Sequence, residues 1–382
     1  MRSTVCSGHD VATVLQGIDD ARSQGWDPTL AVVFCSVSLD VETLGRSIAE
    51  RGIAVVGVTT AGEIANDVML EGSCVAMLLD APSEAFAISF SALEPGETMF
   101  ELGRRLGQQA ADRFVNPIVL TFGSGVRSDG EPVVPGVRAG AGRPIPLFGG
   151  MAGDDLLMKA TFVFTGSCVA SEGLIGLILD GDRFEVHGIA SNGWQAVGVE
   201  KTVTRSEANV VYTIDGQPAL GVYKEYLDVE NPDGQVGEAL ALSLGGQYPL
   251  SVRRDNGTSV IRAPLFYQPG DQAMIFAGTV PQGSKVRFCI PPSMDIVERV
   301  VAEVREIHDS MPHADALLLV SCKARHLALG PMVLDEVQEL HNMWNAPMAG
   351  YFSYGEIGAR NPSECDFHTE TCTLVVLREL PR

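Results

Sequence analysis

Two loops in this chain place a glycine beside a carboxylate, and each follows an apolar stretch that favours β-structure. The first reads V-V-G-V-T-T-A-G-E-I over Val55–Ile64, and the second reads A-G-Y-F-S-Y-G-E-I over Ala349–Ile357. Glycine at a strand end permits positive φ and close backbone approach, so the adjacent carboxylate can face whatever lies beside the loop. The shared pattern therefore predicts two equivalent loops suited to binding a small polar ligand.

A third, weaker copy reads L-F-G-G-M-A-G-D-D over Leu147–Asp155, with aspartate in place of glutamate. Such carboxylates can contact a ligand, or they can cap backbone N–H groups within their own glycine turn. Paired carboxylates also serve acid–base catalysis, but no nucleophile with an adjacent base accompanies them, so we do not expect an enzyme. The candidate ligand-binding residues of the three loops are Thr60, Gly62, Glu63, Gly150, Asp154, Ser353, Tyr354, Gly355 and Glu356.

The elements that precede the two Gly-Glu loops are also alike. An apolar strand, Val32–Ser36 or Leu317–Cys322, comes first, and a helical stretch, Val41–Gly52 or Met332–Trp344, follows it. Repetition of this order predicts an internally duplicated scaffold. The fold class we predict is mixed α/β, with layered, partly antiparallel sheets flanked by helices and with repeated β-α-β-hairpin units.

Short links between β-prone runs predict two hairpins, which is why we expect part of each sheet to be antiparallel. One would join Ser73–Leu79 to Ala85–Leu93, and the other would join Thr161–Phe164 to Leu174–Asp180. Between them, the spacing of apolar residues over Met99–Phe114 predicts an amphipathic helix.

A chain of 382 residues exceeds one ordinary core and predicts roughly two or three domains. The polar stretch Asn231–Gly237, which carries Gly and Pro, interrupts a helical region and places a boundary near Leu220–Gln235. We therefore divide the chain into an N-terminal segment, 1–28, a first domain, 29–220, and a second domain, 221–382.

The charge and the cysteine content of the chain favour a location in the cytoplasm. Lys and Arg number 27 against 48 Asp and Glu, and the resulting net charge of −21 repels phosphate backbones and anionic membranes. The N-terminus has no apolar core typical of a secretory signal, and no apolar run reaches the ~20 residues that span a bilayer. Eight scattered cysteines without a C-x-x-C pattern are typical of reduced thiols. We expect a cytoplasmic protein that binds neither nucleic acid nor membrane.

Seven motifs, in order along nearly the whole chain, resemble the FIST family, named for F-box and intracellular signal transduction proteins. One such motif is weak evidence, whereas the ordered set is specific. The resemblance implies a FIST N-type domain over 29–220 and a FIST C-type domain over 221–382. The motifs are V-G-V-T-T-A-G-E-I (Val56–Ile64), G-G-M-A-G-D (Gly149–Asp154), N-G-W-Q-A-V-G (Asn192–Gly198), the run Val203–Leu220, S-C-K-A-R (Ser321–Arg325), G-Y-F-S-Y-G-E-I (Gly350–Ile357) and C-D-F-H-T-E-T (Cys365–Thr371).

The resemblance implies a sensory module of signal transduction that binds a small ligand, with amino acids as one suggested class. The chain is similar to a stand-alone bacterial subset regarded as haem-binding nitric-oxide sensors that regulate histidine kinases or cyclic-di-GMP enzymes. A haem-free module for an amino acid or another small acid is the alternative. A small-molecule ligand and a signalling protein are thus the implied partners, and haem b is the implied cofactor.

Haem requires an axial ligand, most often a histidine in an apolar pocket. Three of the seven histidines lie in or beside the motifs, and we rank them His368, His187 and His326. His368 comes first because Phe367 and Tyr354 are expected to wall an apolar pocket around it. The alternative for His368 is a hydrogen-bonded structural residue.

Two arginines beside the motifs, Arg205 and Arg325, are the remaining candidates for ligand binding. The planar guanidinium suits carboxylates, including those of an amino acid or of haem propionates. Salt bridging within the protein is the alternative role for these side chains.

Overall fold

The protein is represented by a computed structural model that describes residues 1–126, 128–227, 248–254, 257–268, 270–290, 293 and 295–381. Eight α-helices and several mixed or antiparallel sheets occur within these ranges, so the predicted α/β class is confirmed. The stretch Asn231–Gly237 lies outside the described residues. None of the helices in the described part of the chain has the length and hydrophobicity needed to cross a membrane.

One structural unit occurs three times, in the order strand, helix, strand, helix, strand, hairpin, strand. The first unit comprises β1 (Ser3–Gly8), α1 (Val11–Ser23), β2 (Leu30–Ser36), α2 (Val41–Ala49), β3 (Ala54–Thr60), β4 (Glu63–Ala65), β5 (Val68–Leu70) and β6 (Cys74–Leu79). The second comprises β7 (Phe86–Ala92), α3 (Met99–Arg113), β8 (Pro117–Gly123), α4 (Val133–Ala141), β9 (Leu147–Met151), β10 (Val163–Phe164), β11 (Val169–Ala170) and β12 (Gly173–Asp180). The predicted duplication is therefore a triplication.

The third unit is interrupted after its first strand, β13 (Phe184–Ser191), by a separate sheet. This inserted sheet contains β14 (Gln195–Glu207), β15 (Val210–Ile214), β16 (Gln217–Pro218), β17 (Leu250–Arg253), β18 (Ser259–Arg262), β19 (Pro264–Gln268), β20 (Ala273–Phe276) and β21 (Lys285–Ile290), with helix α5 (Ala219–Leu227). The unit then resumes with α6 (Ile296–Ser310), β22 (Ala316–Cys322), α7 (Lys323–Leu329), α8 (Met332–Trp344), β23 (Met348–Ser353), β24 (Glu356–Gly358), β25 (Asp366–His368) and β26 (Cys372–Glu379).

Each unit gives its hairpin to the sheet of another unit. The three sheets have the strand orders β1-β6-β2-β3-β10-β11, β7-β12-β8-β9-β24-β25 and β13-β26-β22-β23-β4-β5. The hairpin of the first unit therefore completes the third sheet, that of the third unit completes the second, and that of the second completes the first. This cyclic exchange places the three Gly-carboxylate loops at equivalent positions, where each chain segment leaves its own sheet.

Both hairpins predicted from short links in the sequence are wrong. β6 and β7 lie in different sheets, because a 3-10 turn at Ser83–Ala85 carries the chain from the first unit into the second. β10 pairs with β11 and β3, whereas β12 lies between β7 and β8. A short link shows that two strands are close in sequence, but it does not determine which strands pair.

The inner faces of the three sheets share one core. Phe34, Phe122 and Tyr351, one from each unit, contact one another with ring centroids 4.9–6.1 Å apart. Alternate strand residues face outwards, where each unit covers them with its own helices. The arrangement explains why the strands are apolar on both faces.

The strand pairing crosses the division predicted from the sequence. Residues 1–28 carry β1 and α1, and β1 pairs with β6 along its whole length. Ala65 of the first unit is the partner of Ala349 in β23. The division at residue 220 stays a prediction, but the segments on either side of it share sheets.

Candidate functional site

The loop at Glu63 holds its carboxylate inside the protein. Glu63 is fully buried and accepts hydrogen bonds from Thr60 Oγ1, from Ser73 N at 3.0 Å and from Ser73 Oγ at 2.6 Å. The preceding Gly62 has φ of 116°, and a Cβ there would lie 3.0 Å from the Phe352 ring. Glycine is thus required both for the backbone conformation and for the close packing of β4 against the third unit.

The loop at Glu356 repeats this arrangement. Its buried carboxylate accepts hydrogen bonds from Ser353 Oγ, from Thr371 N at 3.3 Å and from Thr371 Oγ1 at 2.7 Å. At Gly150, the strand partner of Glu356, a Cβ would lie 2.5 Å from the Gly355 carbonyl oxygen. Burial raises the pKa of both Glu63 and Glu356 to about 7. Each carboxylate thus accepts two hydroxyl hydrogen bonds and one backbone N–H hydrogen bond from inside the protein, and its role in ligand binding stays a prediction.

Asp154, in the third copy, organises a surface loop. Its carboxylate accepts hydrogen bonds from the backbone N–H groups of Met158, Lys159 and Ala160 at 2.6–3.1 Å. Tyr354 Oη donates to Asp154 Oδ1 at 2.6 Å and accepts from Leu156 N at 2.9 Å. Tyr354 thereby fixes the loop of the second unit to the end of a strand in the third unit.

The loop between Asp154 and Ala160 has a strained backbone and an apolar surface. Asp155, Leu156 and Met158 have φ of 53°, 63° and 52°, a region that residues with a Cβ adopt only when their surroundings impose it. Leu156, Leu157 and Met158 are 42%, 53% and 49% exposed. Strain of this kind is commonly found at functional sites. We refer to residues 154–160 as the apolar loop.

Lys323, the first residue of α7, is a candidate ligand-binding residue that the sequence did not indicate. It is only 7% exposed, and its ammonium lies 5.3 Å from the Phe352 ring centre. Within the described residues, its hydrogen-bond partner is His326 Nδ1 at 3.2 Å. Burial lowers the pKa of Lys323, while carboxylates including Glu71 and Asp155 oppose this shift. Its position in S-C-K-A-R, directly after the fully buried strand β22, was the sequence feature that could have indicated a buried lysine.

The Lys323 region is connected to the apolar loop. Asp155 accepts a hydrogen bond from Ser36 Oγ at 2.6 Å and donates its backbone N–H to the Thr60 carbonyl at 3.2 Å. The Lys323 ammonium, which follows β22, therefore lies near three other features. These are the carboxyl end of β2, the base of the apolar loop and the ring of Phe352. We refer to Lys323, His326, Phe352 and Asp155 as the Lys323 site.

The two candidate arginines lie in different parts of the fold, Arg205 in the inserted sheet and Arg325 in α7, two residues after Lys323. Arg205 is exposed on β14 of the inserted sheet, where its guanidinium lies 4.3 Å from the Tyr212 ring centre. Arg325 is fully buried and forms a two-bond ion pair with Glu336, and its third nitrogen donates to the Asn192 carbonyl at 2.6 Å. The structure thus gives Arg325 the alternative role of an internal salt bridge, and it does not bring Arg205 to the Gly-carboxylate loops.

The three candidate haem ligands differ in which ring nitrogen is already hydrogen-bonded and which could bind iron. His326 accepts from an ammonium through Nδ1, and burial lowers its pKa to about 4, so Nε2 carries the remaining proton. His187 is 41% exposed and pairs through Nε2 with Glu185. His368 pairs through Nε2 with the Gly358 carbonyl at 3.0 Å, and burial lowers its pKa to about 4. A carbonyl accepts only from N–H, so His368 keeps an unprotonated Nδ1.

The apolar pocket predicted around His368 is not formed as expected. Phe367 and His368 are neighbours on β25, so their side chains point to opposite faces. Phe367 packs towards Gly355 and Gly130. The charged groups that affect the pKa of His368 belong to Asp366, Arg262 and Arg254. His368 therefore has the hydrogen-bonding pattern of a metal ligand but a charged environment.

Comparison with known proteins identifies two regions of the chain. The model of the FIST N domain matches residues 29–217, and the model of the FIST C domain matches residues 219–359. No curated protein matches the chain. The two matches together contain all three Gly-carboxylate loops and the Lys323 site.

Proposed function

Because this chain belongs to the FIST family, whose domains are generally small-ligand sensors in signalling, we propose that it senses an amino acid or similar small acid. The Lys323 ammonium carries the proposal, since it is nearly buried and its described hydrogen-bond partner is a neutral imidazole. Buried cations ordinarily pair with an anion. A ligand carboxylate at Lys323 supplies that anion.

The surroundings of Lys323 favour a ligand with a second, positive group. Asp155 and Glu71 contribute negative charge around the ammonium. An amino acid presents a carboxylate to Lys323 and an ammonium to these carboxylates, so both of its charges are matched.

The same site offers a route to a partner. A ligand at Lys323 acts on Asp155, which fixes the base of the apolar loop, and the loop exposes Leu156, Leu157 and Met158. We place the partner contact on these side chains and expect a cytoplasmic histidine kinase or cyclic-di-GMP enzyme. The protein itself acts without catalysis, by binding and contact.

Calorimetric titration of the full chain with the twenty amino acids and with small dicarboxylic acids tests the proposal. At least one compound should bind, and Lys323→Met should weaken its binding at least tenfold, because it removes the ammonium but keeps the aliphatic stem. Lys285→Met, at an exposed position of β21 in the inserted sheet, is the matched control and should bind normally. Equal binding by the Lys323→Met variant and wild type contradicts this site.

A partner assay separates ligand binding from signalling. Leu157→Ser should keep the affinity for the ligand but reduce regulation of the kinase or cyclic-di-GMP enzyme, because it removes an exposed apolar side chain. Val199→Ser is the control, since Val199 is 70% exposed on the inserted sheet. Normal regulation by the Leu157→Ser variant would place the contact elsewhere.

Haem-based nitric-oxide sensing is the second candidate, and the hydrogen bond of His368 to the Gly358 carbonyl favours it. Histidine ligands of metals commonly donate their other N–H to such an acceptor. His368 would hold the iron through Nδ1, and haem when bound would supply the binding of nitric oxide. With haem supplied, His368→Ala should remove or shift the Soret band, whereas His187→Ala should not. A colourless wild-type protein would exclude this candidate.

A further inference from the structure

Two cysteines of the first sheet lie directly opposite each other. Cys35 at the end of β2 is the strand partner of Cys74 at the start of β6. The next pair, Ser36 and Ser73, is hydrogen-bonded, with Ser36 N donating to the Ser73 carbonyl at 2.8 Å. Because the two kinds of pair alternate in an antiparallel ladder, Cys35 and Cys74 occupy a non-hydrogen-bonded pair, in which Cα atoms lie about 4.5 Å apart.

The two side chains also face the same way and touch. Both cysteines are fully buried in the core beneath α1 and α2, and both are free thiols. Contact with the Cys35 thiol is the largest cause of the raised pKa of Cys74. Disulfides form between residues whose Cα atoms are about 4.4–6.8 Å apart, so this pair can be bridged without moving the strands apart.

We propose that Cys35 and Cys74 are a reversible disulfide site, closed by a small organic disulfide or another two-electron thiol oxidant. The thiolate of one cysteine attacks the organic disulfide, forming a mixed disulfide and releasing one thiolate. The second cysteine, as its thiolate, then attacks the protein sulfur of that mixed disulfide and releases the other. Two protein thiols are oxidised, one organic disulfide is reduced to two thiols, and the two protons pass to the released thiolates.

The position of the pair gives the bond a structural consequence. Cys35 precedes Ser36, which donates to Asp155 at the base of the apolar loop, and Cys74 follows Ser73, which donates twice to Glu63. A covalent bond between β2 and β6 therefore fixes the strand ends that carry both hydroxyl groups. This inference does not depend on the identity of the ligand or on the Lys323 site.

Peptide mapping of the oxidised full chain tests the proposal. The protein is equilibrated for hours in oxidised and reduced glutathione at about pH 8, since burial limits reaction to local opening and the raised Cys74 pKa keeps thiolate scarce. After alkylation and trypsin digestion, peptide 23–46 should be linked to peptide 52–104, and dithiothreitol should reverse the link. Cys35→Ala should leave Cys74 alkylated, whereas Cys168→Ala, which removes an exposed thiol, should retain the link.

Two results would overturn the proposal. One is a link from Cys74 to peptide 3–22, which carries the half-buried Cys6. The other is full alkylation of Cys35 and Cys74 as free thiols at the most oxidising ratio, in protein whose circular dichroism is native. The wild-type map is decisive by itself if the Cys35→Ala variant does not fold.

Discussion

Glu63 and Glu356 occupy the same position in their units as Asp154 does in the second, yet the three carboxylates serve two purposes. The glutamates each meet a hydroxyl three residues earlier, on Thr60 or Ser353, and another on the residue before the last strand, Ser73 or Thr371. In the second unit these two positions hold Met151 and Glu172.

Without hydroxyl donors at these two positions, the Asp154 carboxylate accepts a hydrogen bond from the Tyr354 hydroxyl of the third unit at 2.6 Å. Asp154 also accepts from N–H groups of the apolar loop, in which three residues have positive φ and three apolar side chains are exposed. The comparison indicates that Glu63 and Glu356 connect their loops to the residue before the last strand of the unit, whereas Asp154 organises an exposed loop.

The largest effect should follow from removing either glutamate. Glu63→Ala and Glu356→Ala each leave two hydroxyls and one N–H group without their acceptor in the interior, which should cost about 3 kcal/mol of unfolding free energy. Denaturant titrations measure the loss, and Glu339→Ala on an exposed helix position is the control, with a change within about 0.5 kcal/mol. Unequal losses in the two variants would show that the loops are not equivalent.

The pH dependence of stability should reveal the burial of the two glutamates. Burial raises the pKa of Glu63 and Glu356 from 4.5 to about 7, so the folded state binds protons that the unfolded state releases. The stability that proton binding by these two glutamates contributes is fully present below pH 4.5 and is lost as the pH rises through 7. Wild type should therefore lose stability over this interval relative to the Glu63→Gln/Glu356→Gln double variant. A constant difference between the two proteins would contradict the raised pKa values.

Removing Asp154 should have a smaller and more local effect. Asp154 is 1% exposed, and Asp154→Ala withdraws the acceptor of three N–H groups and of the Tyr354 hydroxyl. The N–H groups belong to the exposed Met158 and Lys159 and the half-buried Ala160, where water can replace the carboxylate, so we expect a loss of about 1–2 kcal/mol. Hydrogen exchange should become faster at the amides of Met158, Lys159 and Ala160 and stay unchanged at Ser73 and Thr371. Faster exchange throughout the molecule would assign Asp154 the same role as the glutamates.

The smallest effect should come from Tyr354→Phe. The variant keeps the ring but removes the hydroxyl that connects Asp154 and Leu156, with a loss of about 0.5–1 kcal/mol. Hydrogen exchange at Leu156 should accelerate more than at Lys159, whose partner is retained. No change at Leu156 would show that the bond to Tyr354 does not hold the loop.

The sequence predicts the equivalent Gly-Glu loops because their residues are contiguous, but it does not predict what each carboxylate contacts. Ser73 and Thr371 lie 10 and 15 residues after their glutamates and reach them only through strand pairing. The position of Lys323 is equally non-local, since a lysine at a helix start is usually exposed and here Phe352 of the neighbouring strand covers it. The helix Met332–Trp344, set by local periodicity, was predicted with its observed bounds.

The exchanged hairpins have a consequence for how this chain is made. The β4–β5 hairpin is synthesised long before β23, yet Asn66 in its turn accepts a hydrogen bond from the backbone N–H of Met348, 282 residues later. Until the last unit is synthesised, one edge of the hairpin is an unpaired strand, which is a site for pairing with other chains. Completion of the three sheets must therefore wait until β23 has been synthesised, and a chain cut before β23 leaves that edge open.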